Sequence, residues 1–187
     1  MSDRLVGSEM CIRDRLIKMR IKVDSNTNLT GPGEIYAKEI SSAGNAFAYA
    51  IYEHSKLPLR VFEAARIATA MINGCQICMN WQTKRDVAQM GIEKGVIDNG
   101  IAPDESFYTE ILNKDYSNLS TRETLAVNYA ISMGNKPKEL SKDDNFWDEM
   151  KKVFTDEEIT DLTYCIAGWM GMGRVAHVLG LDQNCSI

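Results

Sequence analysis

Asn73 and Gly74 interrupt a pattern that is helical on both sides of them, and they divide two expected helices rather than two strands. Pro58, permitted in a first helical turn, opens the upstream run, whose apolar stripe is Val61, Ala64, Ala65, Ala68, Met71 and Ile72. The small residues in that stripe permit close packing against a neighbouring helix. Cys75 to Met90 reads as the next helix, ended by Gly91. The same period recurs elsewhere. Glu34 to about Ser55 carries Ile35, Ile40, Ala46, Phe47, Ala50 and Ile51 at mixed three and four spacings, with Gly44 weakening its middle. A turn over Ile92 to Ile97 leads into an Asn99-Gly100 loop, and Pro103 to Leu112 forms a brief helix. Ser120 with Glu123 is a capping box before Leu125, Ala126, Tyr129, Ala130 and Met133. Thr155 with Glu158 is a second, starting a long apolar helix from Asp156 to about Leu179, in which Gly168, Gly171 and Gly173 mark a bend or a close helix contact. No segment reads as a strand, and Pro and Gly fall between helical blocks rather than at hairpin spacing. The expected fold is all-α, a single-domain bundle of about seven helices.

A chain of 187 residues can bury one good core without metal or disulfide staples. The expected domain spans residues 34–181. Residues 1–20 carry mixed charge without a period, and Val6 to Arg15 resembles translated adapter sequence, so this segment is expected to be non-native or disordered, with the true start near Met19. Ser25 to Gly33, containing Gly31-Pro32-Gly33, reads as a linker or turn. A net charge of −5 with no basic stripe argues against a nucleic-acid partner. Short apolar runs broken by charges argue against a membrane span, and no signal-peptide order begins the chain, so the expected location is the cytoplasm.

Five cysteines, an odd number, do not suggest a disulfide framework in such a chain. Cys11, Cys165 and Cys185 stand alone and read as small buried hydrophobes or idle thiols. Cys75-x-x-Cys78 is different, because it falls at a helix start. Unpaired N–H groups and the positive end of the helix dipole stabilise a thiolate there, and by position alone Cys75 is the more exposed and acidic. A zinc site needs four ligands, and no second C-x-x-C or H-x-x-x-H exists to complete one; His54, His177, Cys165 and Cys185 would have to converge in space. Neither a metal nor another cofactor is expected. A thioredoxin fold would require βαβ patterning, which the chain lacks.

Glu63, twelve residues before Cys75, the Cys75-x-x-Cys78 pair and the position four residues after Cys78 together resemble the alkylhydroperoxidase D-like and carboxymuconolactone decarboxylase proteins. The likeness extends more weakly over residues 34–181, including the capped helix after Ser120 and the FTDEEITDL start of the last long helix. It implies a small all-helical, alkylhydroperoxidase D-like fold assembling as a homo-oligomer, a trimer or hexamer. It also implies a peroxidase, a thiol-disulfide oxidoreductase whose substrate is a hydroperoxide. Cys78 would attack the hydroperoxide, becoming a sulfenic acid, and Cys75 would resolve it to a disulfide that a separate thiol reductant then reduces. This assignment of the attacking thiol opposes the one from position, and we follow the resemblance. The decarboxylase branch implies an alternative, a lyase on a small carboxylic lactone. A non-enzymatic redox sensor or oligomeric scaffold is a third.

The chain departs from the peroxidase pattern at the proton relay. Gln82 stands where the family places a histidine four residues after the second cysteine, and Ile77 where some members carry another. On an unbroken helix Gln82 would lie about 6 Å from Cys78, and Glu63 about 16 to 18 Å along the other arm from Cys75, so a middle group must join carboxylate to thiol. A Gln amide has no useful pKa, which leaves a water-bridged relay or none. Cys78, Gln82 and Arg85 at i, i+4, i+7 would share a face, and Arg85 would then either lower the Cys78 pKa or pair with Glu63 and lock the two helices. Arg60 and Arg66, three residues either side of Glu63, read as solvated surface partners. Trp81, Trp147 and Trp169 are expected in the core or at a subunit interface, and the ten methionines in packing. His177 is expected to be structural or exposed, and is the best stand-in if a histidine is needed.

Overall fold

A computed structural model of the chain describes Arg20, Ile21 and residues 31–183. The expectations for residues 1–19, for most of the Ser25 to Gly33 linker, and for Cys11 and Cys185 lie outside the described residues. Among the described residues there are ten α-helices and no strand: α1 (Pro32–Tyr36), α2 (Lys38–His54), α3 (Leu59–Asn73), α4 (Gln76–Asn80), α5 (Thr83–Asp86), α6 (Glu105–Leu112), α7 (Thr121–Asn135), α8 (Pro137–Leu140), α9 (Asp144–Val153) and α10 (Asp156–Val178). The all-α expectation holds.

The centre of the molecule is α3. Leu59, Val61, Phe62, Ala64, Ala65, Ile67, Ala68 and Ala70 are buried on all its faces, which is what a helix apolar all round requires. It packs chiefly on α7 and α10, and less on α6. The Phe62 ring meets Trp169 edge to face at 4.6 Å and Tyr52 at 5.5 Å, fixing α3 against α10 and α2. All three tryptophans pack partly buried against this core.

Both capping boxes form as expected. Glu123 N–H donates to Ser120 Oγ and Ser120 N–H returns to Glu123 Oε2 at 2.8 Å, and Thr155 with Glu158 repeats the arrangement. Asp104 caps α6 by accepting from the Phe107 N–H at 3.0 Å. α8 and α9 have no counterpart among the expected helices, although Pro137 in a first turn and Asp143 accepting from the Phe146 N–H are ordinary helix-start chemistry. The expected helix from Glu34 splits at Ala37, and Gly44 does not break α2; a Cβ there would lie 3.1 Å from Met172 Sδ. α10 runs unbroken through its three glycines. Side chains at Gly168 and Gly173 would collide with Ile51 and Asn73, whereas Gly171 has nothing within 4 Å.

The largest correction concerns Cys75 to Met90, expected as one helix. It is α4, an extended link at Trp81 and Gln82, then α5 and a 3-10 turn over Val87–Met90. The break is stabilised from outside the segment. Arg66 donates from Nη1 to the Cys78 carbonyl at 2.6 Å and from Nη2 to the Trp81 carbonyl, while Asp86 Oδ2 accepts from the Gln82 N–H at 2.9 Å. Backbone groups that a helix would have paired internally thus find side-chain partners instead.

Candidate functional site

The thiol pair sits where α3 stops. Gly74 takes a left-handed conformation, φ 70°, which favours glycine, and a Cβ there would lie 3.0 Å from His177 Nε2. Cys75 follows as the N-cap of α4, its Sγ accepting from the Cys78 N–H at 3.3 Å. The two cysteines are joined as a disulfide, with Cα atoms 5.2 Å apart. Their exposure is opposite to the reading from position: Cys75 is fully buried, and Cys78 is partly exposed. The helix they start is only five residues long, so its dipole contributes little.

Below the disulfide lies a buried ion pair. Glu63 and Arg66 are 0% and 3% exposed, not the surface contact expected of them. Arg66 Nε donates to Glu63 Oε1 at 2.7 Å and Nη2 to Oε2 at 3.0 Å. Thr83 Oγ1 also donates to Glu63 Oε1, and the Tyr108 hydroxyl lies against the same carboxylate. Burial opposes the Arg66 charge, but the Glu63 carboxylate outweighs it, so the guanidinium stays charged. Burial, reinforced by Glu63, pushes the Tyr108 phenol well up. Arg60 turns away and pairs with Glu123 at 2.6 Å.

Gln82 and Arg85 are not part of this cluster. With Gln82 in extended backbone, its amide donates to both oxygens of Glu105 at 3.0 Å and does not connect Glu63 to the thiol. Arg85 bonds Asp86 through Nε and Nη2, each at 2.7 Å, and reaches back only to the Asn80 carbonyl. It neither pairs with Glu63 nor shares a helix face with Cys78. The same chain break explains both corrections, since i, i+4, i+7 geometry needs a continuous helix.

Cys78 opens onto a cavity of about 270 Å³ walled by Tyr52, Ile77, Trp81, Trp169 and Met172. Burial pushes the Tyr52 phenol up to about 12, partly offset by Arg66, so it remains protonated at neutral pH. Asn73 also lines the cavity; it is 7% exposed, and its Nδ2 donates to the Trp169 carbonyl at 3.0 Å. Its Oδ1 and the Trp81 Nε1 are buried without a hydrogen-bond partner. Trp169 Nε1 stands close enough to the Tyr52 hydroxyl to moderate its pKa, though short of hydrogen-bond geometry.

On the far side of Gly74, His177 Nδ1 lies 2.9 Å from Asp182 Oδ2, and that oxygen accepts from the Gln76 N–H at 3.0 Å. His177 is therefore structural, holding the end of α10 to the start of α4. Cys165 is buried beside Asp161, and burial followed by that carboxylate pushes its thiol far up, which suits an inert packing residue.

Thr83, Tyr108, Asn73 and Asp182 are site residues that sequence reasoning did not find, and Arg66, read there as a solvated partner of Glu63, is its buried partner. For Arg66 a signal existed: a helix with apolar residues on every face carries its charged residues inside with it. Asp182 has little local signal: His177 precedes it outside helical i, i+3 and i+4 spacing, and the Gln76 N–H lies on another segment. Among the described residues no cluster of three or more His, Cys, Asp or Glu could hold a metal, and no helix is long and apolar enough to cross a membrane. No family model, curated protein or solved structure matches the chain.

Proposed function

We propose that this chain is a thiol-disulfide oxidoreductase of the alkylhydroperoxidase D-like kind, reducing hydroperoxides through Cys78 with Cys75 as the resolving thiol. The observation that carries this reading is the asymmetry of the pair: Cys78 opens onto the apolar cavity, while Cys75 is sealed beneath it within disulfide reach. The Cys78 thiolate attacks the terminal peroxide oxygen, the O–O bond breaks, and the alkoxide takes a proton and leaves as an alcohol. Cys78 is then a sulfenic acid. The Cys75 sulfur attacks the Cys78 sulfur, the S–S bond forms, the S–O bond breaks, and the hydroxyl leaves as water with the Cys75 proton. An external dithiol returns two electrons by exchange. Glu63 acts in this cycle as a positioning residue, because it orients the Arg66 guanidinium that holds the Cys78 carbonyl.

The test is rapid mixing of the reduced full chain with one equivalent of hydroperoxide, following residues 75 and 78 by peptide mass spectrometry. Loss of both thiols is expected in the wild type and no loss in Cys78→Ser. Cys75→Ser should stop at a sulfenic acid trappable by a cyclic dione. Thiols that stay intact through prolonged exposure would sink the proposal.

A further inference from the structure

Arg66 is the only charged residue among the described ones that line the cavity beside Cys78. It is 3% exposed, and its guanidinium is permanently charged. Glu63 occupies one edge of that fork, accepting from Nε at 2.7 Å and from Nη2 at 3.0 Å. Nη1 lies outside that edge and donates to the Cys78 carbonyl at 2.6 Å. Covalent geometry then keeps the Cys78 sulfur within about 8 Å of Nη1. The side of the ion pair turned to Cys78 is therefore its cationic side, with the carboxylate on the other edge. In a buried, weakly screened setting a cation at that range favours a thiolate. No other group around the thiol competes. Tyr52, from α2, is protonated at neutral pH, and Tyr108, from α6, lies against the Glu63 carboxylate. His177, from α10, is bound to Asp182 on the far side of Gly74, and Arg85, from α5, is bound to Asp86. Cys75 is fully buried, which favours its neutral thiol.

We infer that the Glu63–Arg66 pair sets the charge of the reduced thiols: Arg66 favours the Cys78 thiolate, Glu63 moderates that effect from the opposite edge, and Cys75 stays protonated. Arg66 is on this account a positioning residue that acts through the Cys78 sulfur, in the place where the chain carries neither a relay histidine nor a reachable Arg85. Glu63 then opposes thiolate formation instead of serving as its base, so removing its charge makes Cys78 more acidic.

The experiment uses the reduced full chain carrying Cys75→Ser, alkylates it with iodoacetamide across a pH series, and follows the Cys78 peptide by mass spectrometry to obtain the midpoint of its reactivity. Relative to this background, Glu63→Gln should lower the midpoint by about one pH unit, and Arg66→Met should raise it by about one to two. The double variant, which carries neither charge, should lie about half a unit above the background. If a single variant does not fold, the double variant, with no charge left alone, still decides the matter. A midpoint raised by Glu63→Gln would make Glu63 the base of the thiol and overturn the inference. So would midpoints that do not move, or a double variant at or below the background, which would leave the pair a purely structural contact. Alkylation needs no hydroperoxide, so this role of the pair and the peroxidase reading can fail separately.

Discussion

Replacing Arg66 by methionine leaves the Glu63 carboxylate buried beside Thr83 and Tyr108 with no cation, and strips the Cys78 and Trp81 carbonyls of their donor. Breaking one side of such a pair costs about 3 to 5 kcal/mol, and Arg66→Met should show that loss in urea unfolding. The double variant Glu63→Gln with Arg66→Met should be more stable than the single one, because no charge is then left alone. Gln82→His makes the complementary point. A well-placed general base supplies about 10²–10⁴-fold, but at position 82 the imidazole would face Glu105 in an extended link. The expected thiol oxidation rate is unchanged within about twofold, and a large gain would show that residue 82 does reach the thiol. At this scale the Glu63 and Cys75-x-x-Cys78 elements were readable from residue type and spacing, while the roles of Gln82 and Arg85 were not. Both had been placed by counting along a helix that Arg66, far upstream in sequence, prevents from continuing.

Helix starts were the legible part of the elements, because a capping box is chemistry between residues three apart. Glu123 adds a long-range contact to its box. Burial works against its charge, but Arg60 and the Ser120 N–H win, and the carboxyl is held below its ordinary value. A lowered folded pKa means stability that is fully present above the unfolded pKa of about 4.3 and is lost as pH falls through the folded value. Glu123→Gln should therefore cost about 1 to 2 kcal/mol at pH 7, with the gap to wild type closing on acidification through that window. Urea midpoints at pH 7 and on the acid limb measure it, and a gap that stays constant would show that the charge is not the source. α8 and α9 are less readable, since the first is only four residues and neither carries a capping box.

At the scale of the molecule the fold depends on how closely α10 approaches α2 and α3. The three glycines of α10 looked alike in sequence, and only the assembled helices separate them. Gly168→Ala forces a methyl into Ile51 and should cost about 1 to 3 kcal/mol in urea unfolding. Gly171→Ala meets open space and should stabilise the helix by about 0.5 to 1 kcal/mol. Cys75 is completely buried, and Cys78 is the sulfur of the pair that reaches the cavity. In the proposed cycle the oxidant and the reductant must then use one doorway in turn. Double-reciprocal plots at several reductant concentrations should run parallel, and an excess of either co-substrate should inhibit by occupying the form of the protein meant for the other.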